Sequence, residues 1–104
     1  MVRMSVYYPS QPGVTFDHAY YTGSHRRLVE ECLGPLGLRK VEIDRGVAGF
    51  AGGPAPYVAV GHLFFDSLDA LQSAWDARGH DVVADVPKYT NAPPVVQISE
   101  IVPA

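Results

Sequence analysis

The chain has 104 residues, 47% of them hydrophobic and 18% charged, with a formal net charge of −3. A chain of that length fits one domain, 1–104, and buries roughly 60–65% of the surface it exposes when unfolded. Eleven Asp and Glu oppose eight Lys and Arg, and no basic run exceeds Arg26-Arg27, so nucleic acid is not an expected partner. Apolar runs such as Val58-Ala59-Val60 are too short to cross a bilayer, and Met1 to Ser5 lacks a secretory h-region. A cytoplasmic protein with no membrane partner is expected, and Cys32, without a second cysteine, forms no internal disulfide.

Val2 to Tyr8 is β-rich and ends at Pro9-Ser10-Gln11-Pro12-Gly13. Thr15 can cap a helix over Phe16 to Leu33, with Asp17 in its first turn at the positive end of the dipole. Tyr21, Leu28, Val29, Cys32 and Leu33 share one side of it, and Gly34-Pro35 ends it. Leu38 to Val47 alternates Val41 and Ile43 with Lys40, Glu42 and Asp44, the pattern of a strand with one wet face. Gly46 to Pro56, with four Gly and two Pro, is a loop. Tyr57 to Phe65 is apolar on both faces except at His62, which suits a central strand. Asp66-Ser67 can cap a helix carrying Leu68, Leu71 and Trp75, which Gly79 interrupts before His80 to Val86 forms a further turn. Val95 to Val102 is the last strand.

The order β-α-β-β-α-β is that of the ferredoxin-like split βαβ, an α+β fold with an antiparallel sheet and both helices on one face. In the strand Tyr57 to Phe65, Tyr57, Ala59, Leu63 and Phe65 point one way and Val58, Val60 and Phe64 the other. Two helices cover one sheet face only, so a second copy of the chain is the economical cover for the other, giving a homodimer.

His25 shares the inner helix stripe with Tyr21, Leu28 and Val29, so its imidazole should project towards the sheet, where it could exchange protons near neutrality. The same position suits a core histidine bonded to a tyrosine or carbonyl. A Tyr21 phenol on that face could donate to a carbonyl or enolate oxygen, and Tyr7 lies near the same end. His62 either joins His25 or lies on the opposite sheet face, because alternation cannot assign a strand apolar on both sides. Trp75 is a core anchor or a pocket wall. His80 beside Asp81 forms either an acid–base corner or a solvated pair. Tyr89, in Asp85-Val86-Pro87-Lys88-Tyr89-Thr90, lies in a lid or in a linker to the last strand. The glycine-rich loop has neither a dinucleotide nor a phosphate-loop spacing, and no zinc-ligand motif occurs, so no cofactor and no metal are expected.

Three segments carry a resemblance to a family: Phe16-Asp17-His18-Ala19-Tyr20-Tyr21-Thr22-Gly23-Ser24-His25, Gly61-His62-Leu63-Phe64-Phe65-Asp66-Ser67, and Asp85-Val86-Pro87-Lys88-Tyr89-Thr90. In this order and spacing they resemble the EthD family of the dimeric α/β-barrel superfamily, with Arg27 where that family commonly has Pro. The resemblance implies a protomer whose sheet joins a partner's sheet in a barrel, with a pocket between sheet and helices and a histidine at that pocket. The superfamily includes cofactor-free monooxygenases, cyclases, decarboxylases and some haem enzymes, so oxidoreductase or lyase chemistry is implied without a single reaction.

The resulting expectation is a cofactor-independent enzyme acting on an apolar carbonyl, phenolic or polyketide-like compound. His25 and Tyr21 would be catalytic, and Tyr7, His62, Trp75, His80 and Tyr89 would contact the small apolar or aromatic ligand. The alternative is a non-catalytic dimer that binds a hydrophobic ligand or supports another enzyme.

Overall fold

Four strands and three helices form from these patterns, and a computed structural model describes residues 1–104 throughout. In chain order they are β1 (Val2–Pro9), α1 (His18–Tyr20), α2 (Arg26–Leu33), β2 (Lys40–Arg45), β3 (Tyr57–Phe65), α3 (Leu68–Asp85) and β4 (Val95–Glu100). A π-helical turn, Tyr21–His25, joins α1 to α2 without a break. The strands lie in the order β2-β3-β1-β4 with every neighbouring pair antiparallel, which is the ferredoxin-like arrangement.

Register assigns the two sheet faces. Met4 pairs with Leu63 and Val6 with Gly61, while Val41 and Ile43 pair with the same two β3 residues, so these side chains share the helix-covered face. Ser5 and Glu42 both pair with His62, which puts that histidine on the opposite face. A bulge between Tyr8 and Pro9 shifts the end of the ladder, so Tyr57 pairs with Pro9 and packs against Tyr7, with ring centroids 5.1 Å apart and the planes tilted by 55°. Tyr57 is thereby turned away from the face that strict alternation assigns to it.

The main core gathers Val29, Leu33, Val41, Leu63, Phe65 and Leu71 between sheet and helices. A second cluster of Tyr8, Tyr21, Ala59, Tyr89 and Ala92 fills the other end. The overall dimensions, 38 × 35 × 19 Å, correspond to two layers, one of helices and one of sheet. No helix is long and apolar enough to cross a membrane.

Three local features differ from the sequence pattern. The first helix starts at His18, and its cap is Asp17, whose carboxylate accepts the Tyr20 N–H at 3.0 Å. Thr15 is drawn elsewhere: its N–H donates to Asn91 at 2.9 Å and its carbonyl accepts the Thr90 hydroxyl at 2.7 Å. Gly79 does not interrupt α3, which runs unbroken to Asp85. The glycine is buried because the indole of Trp75, one turn earlier, lies flat against its backbone, 2.5 Å from where a Cβ would stand. The chain after Pro35 turns out of the helix at Gly37, whose φ of +111° favours glycine.

Helix propensity alone would make Gly79→Ala stabilising by about 1 kcal/mol. Contact with the indole reverses the sign. The variant is expected to lose about 1–3 kcal/mol in urea unfolding, with altered fluorescence of Trp75, the single tryptophan.

Candidate functional site

A cavity of about 570 Å³ opens between the sheet and the helices, lined by 18 residues of which 13 are hydrophobic. It lies where the two clusters meet: Met4, Val29 and Leu63 come from one, Tyr8 and Tyr21 from the other. Val96 of β4 and Pro94 stand at its edge, Trp75 forms part of the helix wall, and His25 contributes the imidazole. The few polar groups therefore stand out against apolar walls, as they do in small-molecule sites.

Two of them, His25 and Tyr8, belong to one hydrogen-bonded chain that continues behind the cavity lining. Asp85, the last residue of α3, holds His25 Nδ1 at 2.9 Å through Oδ2 and accepts the Tyr20 hydroxyl at 2.9 Å through Oδ1. His25 Nε2 meets the Tyr89 hydroxyl at 3.3 Å, and Tyr89 meets Tyr8 at 2.6 Å. Tyr21 lies beside Tyr8 and stacks on His25 at 5.6 Å with 17° between the rings. Its hydroxyl rests on the backbone of Gly61 in β3, where any Cβ would occupy the same space. No buried side-chain nitrogen or oxygen lacks a partner.

The protonation states follow from burial and bonding. His25 and Asp85 are only 5% and 6% exposed. Burial lowers the His25 pKa below its ordinary value, outweighing the carboxylate, so the imidazole is neutral at pH 7. Burial also works against the charge on Asp85, but bonds from His25, Tyr20 and Lys88 outweigh it and keep the carboxylate ionised. An ionised carboxylate only accepts, so Nδ1 must carry the proton and Nε2 the lone pair. The Tyr89 hydroxyl donates to that lone pair, and the Tyr8 hydroxyl donates to Tyr89. Burial raises the pKa of Tyr8, Tyr21 and Tyr89 alike, so the three phenols act as donors, and among the groups lining the cavity His25 is the one that can act as a base.

Local backbone features aim these side chains. The π-helical turn adds a residue between Tyr21 and Arg26, whose N–H reaches back to the Tyr21 carbonyl. Opposite, Val86–Lys88 forms a 3-10 turn that swings Tyr89 inwards. Tyr89 is held by the bond from Asp17 N–H to its carbonyl at 2.8 Å and by the neighbouring bridge between Phe16 and Thr90. The segment after α3 is thus clamped to the segment before α1.

Of the residues expected at the site, His25, Tyr21 and Trp75 line the cavity, and Tyr89, which is not among the lining residues, contacts His25 at Nε2. Three lie elsewhere. Tyr7 is on the far sheet face because successive strand residues alternate, and Tyr8 takes the inner position. His62 is on that far face too, with Nδ1 at 2.8 Å from Ser5 Oγ and Nε2 at 2.9 Å from Asp44. This Ser–His–Asp line gives no nucleophilic site, since Ser5 is 2% exposed and buried in the ladder. His80 is on the outer side of the continuous α3, 76% exposed, and its neighbour Asp81 pairs with Arg78 at 2.6 Å. Asp85 escaped the sequence reading as a site residue. An acid ending an otherwise apolar helical stripe, Leu71, Ala74, Val82, Asp85, is the signal that would have found it. No group of three or more His, Cys, Asp or Glu side chains converges as a metal-ion site.

Fold and site together define a ferredoxin-like α+β domain with an apolar cavity and a buried Asp–His–Tyr chain. The chain belongs to the EthD family: the EthD domain model matches residues 13–93, a span that contains His25, Asp85 and Tyr89 but not Tyr8. It is similar to an EthD-like protein from Ralstonia eutropha JMP134, with 35% identity and a TM-score of 0.89, over 97% of this chain and 91% of that one. It is similar in fold to an ethyl tert-butyl ether D (EthD) family protein from Bacillus halodurans C-125, with 20% identity, a TM-score of 0.77 and coverage of 98% and 99%. A dimeric ferredoxin-like protein of unknown function from Thermobifida fusca YX shares the fold at 14% identity and a TM-score of 0.55, over 96% and 90% of the two chains. No curated protein matches the sequence.

The depressed His25 pKa has a testable sign. Neutral His25 contributes stability in full above the ordinary value of 6.5, and that contribution is lost as pH falls through 6.5 towards the folded value. Site-resolved NMR should show the His25 imidazole titrating below 6.5. In Asp85→Asn it should titrate lower still, because the raising influence of the carboxylate is gone.

Proposed function

We propose that the protein is a cofactor-independent enzyme that moves a proton on an apolar carbonyl, phenolic or polyketide-like compound. The observation that carries the reading is His25, neutral and bonded to an ionised Asp85, at the wall of an apolar cavity. A neutral imidazole with its tautomer fixed by a carboxylate is the usual form of a general base near neutral pH.

In this mechanism Nε2 takes a proton from carbon next to the substrate carbonyl. The C–H pair becomes the enolate, and the proton returns to oxygen or to another carbon. The long 3.3 Å contact to Tyr89 is the bond most readily exchanged for substrate. Asp85 supports the imidazolium that forms, and the Tyr21 hydroxyl, standing over Gly61, donates to the developing oxyanion. Trp75, Met4 and Leu63 hold the apolar body and exclude water.

The working unit is a homodimer in the same proposal. The sheet face away from the helices carries Tyr7, half-buried, with Tyr57 and Val95 exposed beside it, and no second layer covers them. A second copy laid on that face would leave each protomer's cavity on its own helix side.

Tested against a panel of fused-ring ketones and phenols, His25→Ala should reduce turnover by about 10²–10⁴-fold while the folded circular-dichroism spectrum is kept. His25→Gln, which keeps a donor for Asp85, guards against loss of fold. A folded variant with undiminished turnover would refute the proton-transfer reading. Sedimentation should give about twice the 11.3 kDa chain mass, and a stable, soluble monomer on dilution would contradict the dimer.

A further inference from the structure

Among the residues lining the cavity, Arg26 alone carries a permanent charge, and no Asp or Glu is among them. It follows His25 directly and opens α2, with its side chain 41% exposed at the rim of the cavity. One guanidinium nitrogen, Nη2, donates to the carbonyl of Val41 in β2 at 3.1 Å, which fixes the plane of the group against the sheet edge. Its nearest acid, Glu30, stands at 3.9 Å from Nε and is itself 52% exposed. Guanidinium offers five N–H donors. The Val41 bond and the loose Glu30 contact leave most of them unspent, beside apolar walls that a neutral ligand alone would not need to match with a charge.

We infer that Arg26 is a carboxylate-binding and specificity-determining residue, and that the ligand is an aromatic or fused-ring carboxylate whose acid group pairs with the guanidinium. The planar fork matches a carboxylate in two-point contact. The ring system then lies against Met4, Leu63 and Trp75, and the chemistry falls to the neighbouring His25. The inference rests on the cavity being the ligand site, and it is independent of whether His25 transfers a proton. It divides the polar work between adjacent residues: Arg26 selects and orients, while His25 reacts.

The probes are 2-naphthoate and its neutral counterpart 2-naphthamide, measured by titration calorimetry on the full chain. The native protein should bind the acid about tenfold or more tightly than the amide. Arg26→Gln should bring the two within about twofold by weakening the acid alone. Arg26→Lys should keep a reduced preference, because it retains the charge and loses the fork. Arg27→Gln removes the same charge from the exposed neighbouring position and should leave the preference unchanged. Equal affinity for acid and amide in the native protein, a preference that survives Arg26→Gln, or binding of neither probe would each overturn the inference. His25→Gln separates this result from the proton-transfer proposal. If turnover persists in that variant while Arg26→Gln abolishes the acid preference, the catalytic reading fails and the carboxylate site stands.

Discussion

The hydrogen bond between His25 and Asp85 is the constraint on which the site depends. It ties the end of the π-helical turn to the last residue of α3, positions 60 residues apart in sequence. Burying a carboxylate is unfavourable by several kcal/mol unless its lone pairs are taken up. Here His25 and Tyr20 each bond one oxygen, with the Lys88 ammonium 3.5 Å away. The charge that remains on Asp85 then fixes the histidine tautomer, the tautomer fixes the direction of the Tyr89 hydroxyl, and Tyr89 orders Tyr8. One ionisation state sets the orientation of four rings or hydroxyls.

Such a chain needs rigid supports, and two irregular backbone segments provide them. The π-helical turn sets Tyr21 and His25 in near-parallel stacking, and the 3-10 turn after α3 brings Tyr89 onto the same imidazole at a centroid distance of 4.5 Å. Between them the bonds from Thr15 to Asn91, from Asp17 to Tyr89 and from Thr90 to Thr15 close the two segments together. Loss of any one bond would loosen the clamp by an amount small beside the whole, since a typical hydrogen bond contributes about 1 kcal/mol net. Together they turn two loops into a wall of fixed shape.

The pattern of alternation, turn residues and caps was enough to read the element order, the central place of β3 and the Ser67 cap, all of which are visible in local sequence. The helix spacing likewise put Tyr21 and His25 on one inner face. What stayed hidden was long-range. Thr15 and Asp17 are both good caps by type, and the choice between them is made by Asn91 and Thr90, far along the chain. Gly79 has the signature of a break, but the Trp75 ring against it makes it a packing surface. The face of His62 could not be decided from a strand apolar on both sides; pairing with Ser5 and Glu42 decides it. Asp85 carries no motif at all, and its role exists only because α3 ends beside His25.

The position of the cavity also has a physical reason. Aliphatic side chains fill one end of the layer and aromatic rings bonded through their hydroxyls fill the other. The rings cannot slide towards the aliphatic core without breaking the chain from Tyr8 to Asp85 and leaving buried hydroxyls unpaired, at about 1–3 kcal/mol for each group. The aliphatic groups cannot follow them, being anchored on strands and helices. Gly61 seats the aromatic wall, since its missing side chain is what lets the Tyr21 hydroxyl reach the sheet. A void that would otherwise favour collapse is therefore held open by polar bonding along one wall. The same bonds that hold the cavity open also orient the one base that borders it, so the shape of the site and its reactivity have a single origin.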